Sequence, residues 1–153
     1  MPMGVAMQLK KLEELFYEEN KHLIEVLDKG RDGNWDAHKT RGYGIAVCEH
    51  KGLRFGIPLR TKIKHDYCFK TKDDKGLDYS KAVLLLKDSY ISKNPFVIPP
   101  EEHVKILDKS HHIQKMFSKY VEIYVKGHQK NDANILRNYQ YSTLRNYHAE
   151  LGI

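Results

Sequence analysis

The sequence predicts an α+β fold, with a compact antiparallel sheet in the middle and helices in front of it and behind. Two observations carry this. In the centre, Leu53, Phe55, Ile57 and Leu59 alternate with Arg54, Gly56, Pro58 and Arg60. That is the period of a strand with one apolar face. Toward both ends, apolar residues recur at three- and four-residue spacing instead, which is the period of a helix.

In order, Leu9, Leu12, Leu15, Phe16, Leu23, Val26 and Leu27 predict a long N-terminal helix over about 7–29, stopped by Gly30. Arg31-Asp32-Gly33-Asn34 is a turn. A strand follows over 43–48, with Tyr43, Ile45 and Val47 on one face and the small Gly44, Ala46 and Cys48 on the other. His50-Lys51-Gly52 turns it into the central strand, where Pro58 predicts a sheet edge or a strand end. Residues 66–69 form a short strand, 70–76 a polar turn, and 82–86 a buried strand. Short strands at 89–92 and 96–98 are stopped by Pro99 and Pro100. Pro100 with Glu101 and Glu102 begins a helix to about Lys109, since proline fits a first turn and carboxylates favour its dipole. Ser110 caps a second helix, which carries Ile113, Met116, Phe117, Tyr120, Val121, Ile123 and Tyr124 and is ended by Gly127. Two short helices, about 130–138 and 142–150, close the chain.

The 153 residues suit one domain, with 41% apolar and 30% charged content typical of a soluble protein. No apolar run reaches membrane-spanning length, and Met1 to Met7 lacks the pattern of a secretion signal. The expected location is the cytoplasm, with Cys48 and Cys68 as reduced thiols. The net charge is +6, and the ten tyrosines outnumber five Phe and one Trp. Cations interleaved with tyrosine suit RNA, where phosphates meet charge and bases stack on rings.

Several chemistries find no support. The nine histidines include no zinc-type spacing, and no carboxylate cluster of the two-metal kind occurs, so no metal or other cofactor is expected. P-loop and dinucleotide fingerprints are absent. What remains is concentrated at the end of the central strand, where Arg60, Thr61, Lys62, Lys64 and His65 follow one another. Metal-free RNA cleavage uses such groups. The substrate's own 2′-OH attacks, and the protein moves protons and stabilises charge on phosphorus.

The blocks Gly44-Ile45-Ala46-Val47 and Gly56-Ile57-Pro58-Leu59-Arg60-Thr61-Lys62-Ile63-Lys64-His65 resemble the ToxN/AbiQ family of endoribonuclease toxins of type III toxin–antitoxin systems. Arg41 stands where that family has a basic residue, and Tyr141-Ser142-Thr143-Leu144-Arg145-Asn146-Tyr147 resembles its closing segment. The likeness covers about 40–150. Two departures stand out. The better-known members begin with a strand, whereas the helix expected here looks more like the CptN branch. The family's turn has two hydroxyl residues, whereas here Arg60 takes the first place and Thr61 alone the second.

The resemblance implies a strongly bent sheet core similar to Kid/MazF toxins. It implies a metal-independent, sequence-preferring endoribonuclease leaving 2′,3′-cyclic phosphate. It implies inhibition by a small structured antitoxin RNA, a repeat-derived pseudoknot that the toxin processes and with which it forms a closed protein–RNA complex. Carried onto this chain, Thr61 contacts the scissile phosphate or 2′-OH, Lys64 or Lys62 stabilises the transition state, and Arg41 binds phosphate. His65 exchanges a proton or positions its neighbours. Lys39, Tyr43, Arg60, Lys62, Lys70, Ser118 and Tyr120 are further expected RNA contacts. The alternative is an RNA-binding module without catalysis.

Overall fold

The computed structural model describes residues 7–26 and 44–153. Its centre is a hairpin of β2 (Gly44–His50) and β3 (Leu53–Arg60), in register from Ile45↔Pro58 to His50↔Leu53. The connection is Lys51-Gly52, with φ of 48° and 82°. Positive φ at both central residues is the type I′ geometry, whose twist matches that of the strands. Gly52 takes it freely.

Around this hairpin the sheet runs β4 (Cys68–Lys72), β5 (Lys75–Asp78), β3, β2, β1 (Leu9–Leu12), β7 (Ile91–Pro95), and β6 (Val83–Leu84) also pairs with β3. All pairings are antiparallel. The helices are α1 (Glu14–Glu19), α2 (Pro100–Asp108), α3 (Ser110–Gln129), α4 (Ala133–Asn138) and α5 (His148–Leu151). Short 3-10 turns occupy Tyr79–Lys81, Asp88–Tyr90 and Thr143–Tyr147. The α+β class and the antiparallel sheet agree with the sequence.

The long N-terminal helix does not form. Leu9–Leu12 is an interior strand, and only Glu14–Glu19 is α-helical. Both edges of β1 are taken. Leu9, Lys10 and Lys11 pair with Ala46, Ile45 and Gly44, and Lys10 and Leu12 pair with β7. Phe96 N–H donates to Leu9 O at 3.0 Å. Two ladders satisfy this backbone as fully as a helix would, and they bury Leu9 and Leu12 as well. The expected turn 31–34 lies outside the described residues.

Pro58 is not on a sheet edge, because β3 is central, but it does stand near the strand's end, two residues before Arg60. On its outer side β3 pairs with β6 at Phe55 and Gly56, then with β5 at Leu59 and Arg60. Pro58 falls where one partner gives way to the other. The polar turn 70–76 is a β-hairpin turning at Asp73-Asp74. The run 82–86 is strand only at Val83–Leu84, residues 88–90 are a 3-10 turn, and 96–98 are irregular.

One apolar cluster fills the space between sheet and helices. Phe55 of β3 meets Phe117 of α3 edge-on, with centroids 5.3 Å apart. Ile45, Ile57, Leu77, Ile106, Ile113 and Leu144 are fully buried around them. α2 starts at Pro100 as read from the sequence. Ser110, however, caps nothing. Its hydroxyl turns back to the carbonyls of Ile106 and Leu107 and accepts the Met7 N–H at 3.1 Å. Gly127 does not end α3 but lies inside it, against Ile135 of α4.

At the far end of α3 the Tyr124 hydroxyl and His148 Nε2 share a hydrogen bond of 2.7 Å, and the His128 and His148 rings lie 4.7 Å apart. Burial lowers both histidine pKa values from the usual 6.5, helped by their proximity for His128 and by Arg145 for His148.

A Cβ on Gly127 would run into Cγ2 of Ile135. Gly127→Ala should therefore destabilise by about 1–3 kcal/mol despite alanine's better helix propensity. Urea unfolding tests it, and an unchanged or raised midpoint would count against this packing. For His128 and His148 the folded state disfavours the proton. Their contribution is full above pH 6.5 and is lost as pH falls below it. The melting temperature should fall more between pH 7.5 and 5 in the wild type than in His128→Gln/His148→Gln.

Candidate functional site

The loop 61–67 leaves the end of β3 and runs to the start of β4. It alternates between outward and inward side chains. Thr61, Lys62 and Lys64 are exposed, whereas Ile63 is fully buried and His65 is partly covered. Ile63 N–H also donates to Asp74 O at 2.9 Å, pinning the loop to the β4–β5 turn. Lys62 has φ of 56°, the left-handed region that non-glycine residues avoid. Its side chain stands on the outer side with those of Thr61 and Lys64.

The second anchor is Asp78, which is fully buried at the end of β5. The register Leu59↔Leu77 and Arg60↔Gly76 brings Asp78 beside the end of β3. Arg60 Nη1 donates to its Oδ2 at 2.8 Å. On Oδ1 it accepts the Ser80 N–H at 3.0 Å and the Ser80 hydroxyl at 2.6 Å. His65 Nε2 reaches Oδ2 at 3.2 Å and Ser80 Oγ at 3.3 Å.

These bonds fix the proton positions. His65 Nδ1 accepts the Tyr67 N–H at 3.0 Å, so the ring hydrogen sits on Nε2 and points at Asp78. The Ser80 hydrogen goes to Asp78, which leaves its oxygen to receive His65. Both imidazole nitrogens are thereby engaged in holding the loop.

On the outer side, Lys64 Nζ lies 3.0 Å from Asp74 Oδ2, and Lys70 lies 3.6 Å from Oδ1. The hydrogen bond from Lys64 holds the Asp74 pKa below the usual carboxylate value. These are solvent-exposed pairs of small net strength, readily exchanged for an anion. Thr61, Lys62, Lys64 and Lys70 thus share one outer, lysine-rich edge, with the Arg60 guanidinium held by Asp78 beside it. Arg41, Lys39 and Tyr43 lie outside the described residues.

Two expected contacts are placed differently. Ser118 accepts from Gln114 Nε2 at 3.3 Å, and Gln114 is bound to the backbone of Glu49. Glu49 pairs with Arg54, six residues from Arg60 along β3, which is about 20 Å at strand rise. Ser118 therefore does not join the loop. Tyr120 is buried, with its hydroxyl donated to Ser142 Oγ at 2.7 Å and its pKa raised by burial. It contributes a ring wall rather than a free hydroxyl.

Comparison with protein-family models, with curated proteins and with solved structures returned no match.

The sequence reading missed Asp78, Ser80 and Lys81. A signal for the first two exists. Asp78 stands between Leu77 and Tyr79, and Ser80 two residues on gives the Asx-turn pattern. Lys81 is largely buried, donates to Tyr141 O at 3.0 Å and lies 3.7 Å from Glu25. Burial lowers its pKa, against the pull of Glu25 and Asp78. The thiols are poor nucleophiles, because burial pushes Cys48 up to about 12 and raises Cys68 as well. Among the described residues, no three His, Cys, Asp or Glu side chains group as metal ligands, and no helix is long and apolar enough to cross a membrane.

Removing the Asp78 carboxylate strands Arg60, His65 and Ser80 together. Asp78→Ala should cost about 3–5 kcal/mol in urea unfolding. It should also speed hydrogen exchange at the Tyr67 amide, which His65 otherwise holds. Unaltered exchange there would show that the loop is fixed by something else.

Proposed function

We propose that this protein is a metal-independent endoribonuclease toxin of the ToxN/AbiQ type, held in check by a small structured RNA. The observation that carries the proposal is the loop after β3. Its outward residues present a hydroxyl and ammonium groups, with a guanidinium beside them, while its inward residues lock it to Asp78 and the core. A preorganised cationic edge of this kind suits a phosphodiester whose charge rises during reaction. The composition agrees, with net charge +6 and ten tyrosines. The N-terminal strand agrees too, since the better-known members of that family begin with one. A strongly bent, Kid/MazF-like curvature of the sheet belongs to the same reading, as does a closed complex with a repeat-derived pseudoknot RNA that the toxin itself cuts.

In this mechanism the substrate 2′-oxygen gives its proton to solvent and attacks the adjacent phosphorus, and the P–O5′ bond breaks as the leaving oxygen takes a proton from solvent. The products are a 2′,3′-cyclic phosphate and a 5′-hydroxyl. Thr61 hydrogen-bonds the phosphate or 2′-OH, and Lys64 or Lys62 stabilises the charge on the equatorial oxygens. Arg60 stays on Asp78 and lends its charge to the neighbouring edge. His65 positions the loop, and it takes part in proton transfer only when one of its two ring bonds opens. That last point favours one second reading, an RNA-binding module without catalysis.

The test is RNA cleavage by nuclease-stripped protein in excess EDTA, with analysis of the new 3′ ends. Wild type should leave cyclic phosphates, Thr61→Ala should lose at least about tenfold in rate, and Lys62→Gly should weaken RNA binding and lower its salt slope by about 1. Glycine suits the positive φ at Lys62, so that variant removes charge without straining the turn. His65→Gln keeps one donor and one acceptor, so retained cleavage assigns His65 to positioning. Intact RNA with tight binding would establish the binding module instead.

A further inference from the structure

Directly beyond the loop, β4 and α3 enclose a cleft of about 230 Å³ that the phosphate chemistry above does not use. It begins where the loop ends. Asp66 and Tyr67 line it, and the Tyr67 ring lies 5.8 Å from that of His65. Its floor is aromatic. Tyr67 and Tyr139 rings are 4.8 Å apart, Tyr120 and Tyr139 5.0 Å, and Tyr67 and Tyr120 5.7 Å. The opposite wall is one face of α3, His112, Met116, Lys119 and Ile123, at helical spacing.

Among the lining residues, Tyr120, Tyr139 and Tyr79 are buried, and Tyr67, Met116 and Ile123 are half-buried. An incoming group therefore meets one tyrosine face on the sheet side and two flexible or branched apolar side chains on the helix side. Asp66 and Lys119 stand exposed at the mouth, one an acceptor and one a donor. The volume is below the roughly 300–1,000 Å³ of drug-sized sites, so the cleft has room for one planar ring system.

We propose that this cleft is a nucleobase pocket. It takes one unpaired base of a single-stranded RNA, stacked on Tyr67 against Met116 and Ile123, while the adjoining phosphates lie on the Lys62–Lys64 loop. The assignment rests on the RNA reading above. It adds that the protein holds bases as well as backbone. Stacking tolerates any base because every base has a π-face. Asp66 and Lys119 at the rim favour bases that offer an N–H donor beside a carbonyl acceptor.

Two 2′-O-methyl heptamers that cannot be cleaved test it. One carries a single central 2-aminopurine among abasic residues, and the other is wholly abasic. Their backbones have equal charge. The 2-aminopurine oligomer should bind about tenfold more tightly, with its fluorescence quenched, and Met116→Trp, which fills the cleft, should remove both effects. Equal binding without quenching would overturn the pocket and leave an RNA-binding groove. If neither oligomer binds, the RNA reading fails and the pocket with it. Quenching by the wild type decides the matter should Met116→Trp not fold.

Discussion

The Asp78 carboxylate is the interaction on which the arrangement depends. It is wholly buried, and it receives Arg60, His65 and two donors from Ser80. A bare carboxylate in that place would be costly, and these bonds offset its removal from water. Their partners come from three separate pieces of chain: the end of β3, the following loop and the 3-10 turn after β5. One atom group therefore fixes their mutual position. Ile63 does the same by apolar burial two residues before His65. Between these pegs Thr61, Lys62 and Lys64 have only the outside left to them.

Local signals were legible in the sequence, and non-local ones were not. The β2–β3 hairpin was readable because alternation and a Lys51-Gly52 turn are adjacent in the chain. The start of α2 was readable because Pro100 and two glutamates are a local cue. The N-terminal strand was not, since the helical spacing of Leu9, Leu12, Leu15 and Phe16 says nothing of two distant strands that occupy both edges. Gly127 and Ser110 misled for a related reason. One is small because Ile135 presses on it, and the other bonds backward into α2. In the site, the cationic run was plain, but Asp78 reaches it only through the β3–β5 register. Ser118 was expected among the RNA contacts, but the periodicity of α3 gives a face and not the part of the sheet that the face meets, which for Ser118 is near Glu49.

The loop and the tyrosine cleft share Tyr67. Its backbone N–H holds the His65 ring, its carbonyl accepts the Tyr79 N–H at 3.0 Å, and its ring lines the cleft. Charge and aromatic surface are thus joined by one rigid residue rather than by a flexible linker. A chain of alternating phosphates and bases has the same alternation of chemistry along its length.

The site's other brace lies much later in the sequence. Thr143 donates its hydroxyl to Ser80 O at 3.2 Å and to Ala82 O, across 63 and 61 residues. Asn146 exchanges hydrogen bonds with Ile24 across 122 residues. A ribosome makes the strand, the loop and Asp78 long before it makes Thr143. For that interval the emerging polypeptide carries its lysines without the clamp on the turn that holds Ser80. The order of synthesis therefore separates possession of the cationic edge from its final shape, and the last-made part of the described fold completes the first-made.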